Sequence, residues 1–345
     1  MKAEPKPQLI YLAFGADTYR TEAVFSIATA LKHSAPDRAF DIQVFTDDPA
    51  PFSRLPVTTK SIAPTWRGPH DYHFRIKHVV LREVLAEHEK ALLIDTDTFF
   101  KSSPDNLFQR IRPNSLLCNA FGSPLKNFSR PELLAAAKAI SPVNDQSRQL
   151  NSGVIGLTRG SATVLERSIA LMDDLYPAFS DIYTLEELCL AMAASRDLKH
   201  EECTDVIHHY WSRKDLFRAK INAWHRKHKD SPLGAEALAD IGKVNDRLPK
   251  PGQPLRSAQK LLTLLIPREQ RQFAREVLYG CYHYDNEFDQ ACSTVWWDKA
   301  VQIPERHPGL KQEQAEIEHW LAHPLLKRLA GRHYPQAVAH LTRGQ

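Results

Sequence analysis

The feature that most constrains this chain is Ala91-Leu-Leu-Ile-Asp-Thr-Asp-Thr-Phe-Phe100, a short apolar run that ends in two carboxylates one residue apart. Behind the polar patch His88-Glu89-Lys90, an uninterrupted apolar run suits a central strand of a sheet covered by helices on both sides. On an extended backbone side chains alternate, so Asp95 and Asp97 are expected to point the same way and Thr96 the other. Paired anions at the C-terminal end of such a strand repel each other unless a cation lies between them, and open α/β sheets bind ligands at that end. A divalent metal site is therefore expected there, with turn or helix capping as the competing use of the same aspartates.

A chain of 345 residues is long for one core and suggests a main domain plus a smaller one. Its 43% hydrophobic and 25% charged residues argue against disorder. The formal charge of +4 is small and uneven: from Arg226 onward 18 Lys and Arg face 14 Asp and Glu, and before it 27 face 27. A balanced first two thirds carries no nucleic-acid footprint, and the mildly basic remainder suits either an anionic surface or a solvated helical face. Five widely spaced cysteines without a Cys-x-x-Cys pair indicate neither a disulfide framework nor a zinc ribbon, which fits a reducing compartment. The polar start reads as no signal peptide, and no apolar run approaches the roughly 20 residues needed to span a bilayer. The expectation is a cytoplasmic protein without a transmembrane segment, with peripheral contact to the inner face of the membrane left open and the oligomeric state undetermined.

Taken in order, Leu9 to Gly15 reads as a buried strand and a turn, and Arg20 to Ser34 as a helix with Val24, Ile27, Ala28 and Leu31 on one face. The intervening Asp17-Thr18-Tyr19 offers a carboxylate, a hydroxyl and an aromatic ring, suited to gripping a nucleoside or, equally, to capping the helix. Phe40 to Phe45 is a second strand that delivers Asp47, and Pro49 and Pro51 stop it. A weaker strand is expected around Val57 to Ile62. From Phe74 a helical stripe of Ile76, Val79, Val80, Val84 and Leu85 leads into the Asp95 strand, so Arg75 or Lys77 in its first turn is placed to meet a phosphate; a solvated face is the other reading.

Further along, Asn151-Ser152-Gly153 precedes the apolar Val154 to Leu157: a glycine for close backbone approach flanked by short hydrogen-bonding groups. Thr184 with Glu187 three residues later forms a candidate capping box, which leaves Glu186 with less of a structural reason. Cys203 to Lys214 ends a strand in His208-His209, one of which must face the crevice in either register, with Lys214 just beyond.

This order of motifs, strand then Asp95-Thr-Asp97, Asn151-Ser-Gly153, and His209-Tyr-Trp with Lys214 behind, resembles the nucleotide-sugar glycosyltransferases of GT-A fold, especially family eight and its relatives. The resemblance covers Leu9 to Lys214. It implies an α/β fold of GT-A type, a mixed sheet flanked by helices, and a sugar transfer from a UDP-linked nucleotide-sugar donor to a glycan, lipid or other hydroxyl acceptor. It further implies Mn2+ or Mg2+ held by Asp95, Asp97 and His209, with His208 as the alternative ligand. Lys214 becomes a diphosphate contact, Asp17 to Tyr19 with Asp47 the nucleoside pocket, and Asn151 a group facing donor sugar or acceptor. The mixed carboxylate and imidazole set agrees with a hard divalent ion.

Two departures bear on the chemistry. The family commonly has a glycine after the histidine and ends in Lys-Pro-Trp, whereas Ser212-Arg213 precede Lys214 here and Asp215-Leu216 follow. Glu186-Glu187 stand where relatives often place an aspartate with an amide, so either glutamate is a candidate base for an inverting reaction, while the family leans towards retention. The strand-Asp-x-Asp-Thr pattern also resembles haloacid-dehalogenase-like phosphohydrolases with Asp95 as nucleophile, but that reading uses neither His209 nor Asn151. A non-catalytic nucleotide-sugar-binding protein is the third reading.

By domain, residues 1–225 are expected as the catalytic domain, 226–256 as a loose linker rich in Lys, Pro, Gly and Asp, and 257–345 as a helical extension with helices over Ala258–Leu265, Arg268–Gly280, Lys311–Ala322 and Leu325–Leu341. Trp296 and Trp297 could stack on a sugar, enter a membrane interface, or pack the extension against the main domain.

Overall fold

The computed structural model describes residues 5–302 and 313–342. Its contacts divide the chain into two units: the first runs to Trp211 and regains Lys229–Leu238, and the second takes Ser212–His228 and the chain from Ala239 on.

The first unit is α/β. Its strands are β1 (Gln8–Ala13), β2 (Asp41–Thr46), β3 (Thr58–Lys60), β4 (Lys90–Ile94), β5 (Thr98–Phe100), β6 (Ser115–Pro124), β7 (Arg148–Thr158), β8 (Lys199–Glu202) and β9 (Ile207–His209). Its helices are α1 (Asp17–Lys32), α2 (Arg75–Glu87), α3 (Asp105–Arg110), α4 (Pro131–Ile140), α5 (Thr163–Phe179) and α6 (Leu185–Ala194). Seven strands form one mixed sheet in the order β3-β2-β1-β4-β7-β6-β8, and β5 pairs with β9 in a separate ribbon. β1, β2, β3 and β4 run parallel, while β7 is antiparallel to both β4 and β6. Ala91, Leu92, Leu93 and Ile94 are all fully buried, which requires cover on both faces, as their uninterrupted apolar run demands. On one face the α2 stripe of Ile76, Val79, Val80, Val84 and Leu85 packs with α5 and α6 into a single core.

This topology fixes where a site can lie. Because β1, β2 and β4 are parallel, their C-terminal ends share one edge, which gathers the turn at Gly15, Asp47 and Asp95. β7 runs the other way beside β4, with Ile94 opposite Val154, so its early residues Asn151 to Gly153 reach the same edge. The sequence expectation differs from the structure in one respect that matters: β4 stops at Ile94, and Asp95-Thr96-Asp97 form a bend before β5. Strand alternation therefore does not orient the two carboxylates.

The second unit is helical: α7 (Lys214–His228), α9 (Gln253–Leu262), α10 (Arg271–Gly280), α11 (Glu287–Ala291), α12 (Ser293–Ala300), α13 (Gln314–Leu321), α14 (Pro324–Ala330) and α15 (Tyr334–Leu341), while α8 (Ala235–Asp240) spans the division. The stretch 226–256 is not a loose linker. Asp240 is buried and accepts from Lys227 and His228 at 2.9 Å and pairs with Lys243 at 2.7 Å, and Lys220 donates to the carbonyl of Arg247. Asp240 thus gathers three basic side chains of this stretch into one cluster, while Lys229, Asp230 and Lys250 stay exposed. The Leu325–Leu341 expectation is two helices, because Gly331 at φ 58° breaks the run. The part of Lys311–Ala322 before residue 313 lies outside the described residues. Trp296 and Trp297 pack inside this unit: both are buried, and Trp296 donates to the Pro249 carbonyl at 2.7 Å. Among the described residues no helix is long and apolar enough to cross a membrane.

Candidate metal centre

Asp95, Asp97 and His209 each bring a donor atom to within 4.8 Å of the others. The bend after β4 supplies both carboxylates, and the β5–β9 ribbon supplies the imidazole, since Thr98 stands opposite His209 and Phe99 opposite His208. The Tyr210 amide donates to the Asp97 carbonyl at 3.1 Å and closes the ribbon onto the bend. α1 braces it from behind: Ser26 bridges Tyr11 and Thr98, Thr98 donates to the Asp95 carbonyl at 2.8 Å, and Phe100 donates its amide to Thr29. Of the two adjacent histidines it is His209 that joins the aspartates, and His208 packs on Phe99 with ring centroids 5.0 Å apart.

Gly153 has a different use from the one its sequence context suggests. A Cβ there would lie 2.2 Å from His209 Nδ1, so the glycine admits the imidazole ring rather than a ligand. Asn151 then sets the ring's chemistry. Its Oδ1 accepts from the Gly153 amide at 3.1 Å and its Nδ2 donates to Glu187 at 3.1 Å, which fixes the amide orientation. The same Oδ1 lies 2.9 Å from His209 Nδ1, so that nitrogen carries the proton. In the neutral ring His209 Nε2 then presents a lone pair towards Asp97 Oδ1 at 3.2 Å. Two lone pairs at that distance repel unless a proton or a cation lies between them. A set of two carboxylates and an imidazole whose other nitrogen is anchored by an acceptor fits a divalent ion of the Mg2+ or Mn2+ class.

Lys77, in the first turn of α2 and buried, lies at the centre itself. Its Nζ is 2.8 Å from Asp95 Oδ1, 3.4 Å from Glu186 and 3.3 Å from the Ser152 hydroxyl. Burial opposes its charge, but Asp95 and Glu186 outweigh that and hold the ammonium well above its usual range. Burial pushes the Asp95 carboxyl up, and the Asp97 charge adds to it against the opposing Lys77 ammonium. Arg75, two residues earlier, is engaged elsewhere: it grips both oxygens of Asp173 at 2.7 and 2.9 Å and donates to the Trp66 carbonyl. His78 is fully buried, and burial together with Lys77 and Arg75 pushes it down to about 3, so it stays neutral beside Glu186.

The two glutamates at the start of α6 close the same edge. Thr184 makes no side-chain cap, so the capping box does not form. Glu187 instead accepts from the Ser152 amide at 2.9 Å and from Asn151, and Glu186 accepts from the Ser152 hydroxyl at 2.6 Å. Burial, then the neighbouring Glu186 charge, raises Glu187 to about 7.

Along the edge, Asp17 to Tyr19 open α1 instead of forming a separate turn before it, and they are joined to Asp47 by Arg20, whose guanidinium binds Asp17 and donates to Asp47 at 2.7 Å. Asp47 also accepts from the Gly15 amide at 2.8 Å, where φ of 85° suits glycine. Asp17 does not cap α1, Thr18 lies in its first turn, and Tyr19 is 43% exposed. Arg20 was legible only as an i, i+3 partner of Asp17. Lys214 opens α7 in the second unit. Neither a scan against protein-family models nor a search of curated proteins finds a match to this chain.

Proposed function

We propose that this chain is a metal-dependent glycosyltransferase of GT-A type that moves a sugar from a nucleotide-sugar donor, in the first instance UDP-linked, to a hydroxyl acceptor on a glycan or lipid. The observation that carries the reading is the meeting, at one sheet edge, of the Asp95-Asp97-His209 set and the raised Glu187 carboxyl, both tied to Asn151. Mn2+ or Mg2+ bound by the three residues would supply Lewis-acid stabilisation of charge on a departing diphosphate.

The protein's own groups do the rest. Asn151 holds His209 in the tautomer that leaves Nε2 open, and Lys77 offsets part of the carboxylate charge so that Asp95 can stay ionised in a buried bend. Tyr19, exposed at the Arg20-braced start of α1, offers a stacking face for a nucleobase. Glu187, half-ionised near neutrality, is poised to take the acceptor's proton in an inverting reaction; in a retaining one it orients the acceptor while the leaving phosphate takes the proton. The phosphohydrolase reading leaves His209 and Asn151 without a role.

The test is calorimetric titration of UDP, GDP and inorganic phosphate, with and without manganese, into wild type and Asp97→Ala. UDP binding that needs both the metal and Asp97 supports the donor site, and UDP-sugar turnover then separates an enzyme from a non-catalytic binder. No nucleotide binding under any condition sinks the proposal.

A further inference from the structure

The helix α9 and the turn Thr263–Leu265 that follows it have their polarity inside out. The residues facing the interior are Gln259 in the helix, Thr263 in the turn, and Ile266 and Gln270 just beyond it, and only Ile266 among them is apolar. The leucines face outward: Leu255 and Leu262 are partly exposed, and Leu264, Leu261 and Leu265 are 52%, 68% and 73% exposed. An ordinary surface helix does the opposite, and soluble surfaces seldom gather this much apolar side chain in one place.

The segment is not a frayed loop. Arg271 donates from Nε to the Ile266 carbonyl and from Nη2 to the Leu264 carbonyl, both at 2.9 Å. Thr263 donates its hydroxyl to the Lys260 carbonyl at 3.0 Å, and the Ile266 amide closes onto Thr263 at 3.1 Å. The leucines are held out by a fixed backbone. Around them the charge is predominantly positive: Lys250, Arg256, Lys260, Arg268, Arg271 and Arg275 against Glu269 between residues 250 and 275.

We propose that the edge from Leu255 to Leu265 is an interfacial anchor for an anionic lipid bilayer, with the leucines entering the boundary between headgroups and acyl chains and the flanking cations meeting lipid phosphates. The anchor lies in the plane of the interface, since no described helix can cross a membrane. Lys and Arg stems extend apolar cover while their heads reach water and phosphate. The charge decides between occupants. A second copy of the chain, docked through the same face about a two-fold axis, would set the basic rim against itself. An anionic surface meets both the leucines and the rim. This inference stands apart from the metal centre and does not depend on it.

The experiment is co-sedimentation of the full chain with vesicles of phosphatidylcholine alone and of phosphatidylcholine mixed with phosphatidylglycerol, at low and high salt. Wild type is compared with Leu261→Asp/Leu265→Asp and with Lys260→Glu/Arg268→Glu, all at exposed positions, with folding checked by circular dichroism. Wild type is expected on the anionic vesicles, weakened by salt and largely absent from neutral ones. Each cation removed should weaken binding roughly five-fold, and the leucine pair should weaken it more than about ten-fold. The proposal is overturned if wild type stays in the supernatant with anionic vesicles at low salt, if neutral and anionic vesicles bind equally, or if the leucine pair binds like wild type. A dimer in solution that the leucine pair splits would identify a second copy as the occupant instead.

Discussion

At the sheet edge of the first unit, charge is buried: Lys77, Asp97 and Glu186 are each at least nine-tenths inaccessible. At the α9 edge of the second unit, apolar surface is exposed, with three leucines more than half open to solvent. Both reverse the usual partition of residues, in opposite senses, and their closure differs. The buried charges are knitted together, with Lys77 against Asp95 and Glu186, Ser152 against both glutamates, and Asn151 between Glu187 and His209. The backbone that carries the leucines is held by the Arg271 guanidinium, and the leucine side chains themselves stay exposed. Burying charge is unfavourable unless it is paired, and such clusters concentrate where chemistry is done. Exposed leucine is resolved only by something that covers it. The comparison teaches that the two edges depart from the usual partition by different means: the first satisfies buried charge internally, whereas the second leaves apolar side chains facing solvent.

Four substitutions break or sharpen the first half of that contrast. The largest effect is expected from Asp97→Ala, which should abolish metal-dependent nucleotide binding and turnover, measured by calorimetry and a donor-hydrolysis assay; unchanged activity removes the central claim. Next, Glu187→Gln should lower the rate by about 10²–10⁴ while leaving donor affinity in place. The same variant gives a pH test. Glu187 titrates near 7 in the folded chain against an ordinary value of 4.5, so the native state holds its proton more tightly. Its contribution to stability is complete below 4.5 and is lost as pH rises through 7. Denaturant midpoints of wild type should show that decline and the variant should not, while the activity of wild type should rise across the same window. A stability change without loss of rate would make Glu187 a structural group.

A smaller effect is expected from Asn151→Leu, which frees the His209 ring and should weaken metal affinity by about 10–100-fold, read by manganese titration. An unaltered affinity would show that the ring is oriented by the β5–β9 ribbon alone. The smallest is Gly153→Ala. Its methyl collides with the imidazole, and the cost of accommodating it should be about 1–3 kcal/mol in chemical denaturation. If stability is unchanged and metal binding falls, the ring has moved rather than the backbone.

Much of the first unit was legible because its signals are local. The apolar run at Ala91–Ile94 marks a doubly covered strand, the stripe from Ile76 to Leu85 marks the helix before it, and Pro49 marks the end of β2. The second unit was legible as helical but not in its divisions: α11 and α12 went unseen, since they are short and separated by little that resembles a turn. The two tryptophans showed their size in the sequence but not their setting.

What the sequence by itself determined is the class of the fold and the types of donor at the candidate centre, because period, run length and residue chemistry are properties of neighbours along the chain. What only the tertiary structure decided is their use. The Asp95–Asp97 pair converges through a bend rather than a strand, Gly153 makes room for His209, Arg75 is given to Asp173 while Lys77 is given to Asp95, and Glu187 answers Ser152 and Asn151 instead of capping its helix. Apart from the bend, each of these depends on a partner 18 or more positions away. Side-chain chemistry names what a group can bind, but only the packing of distant segments settles which partner reaches it first.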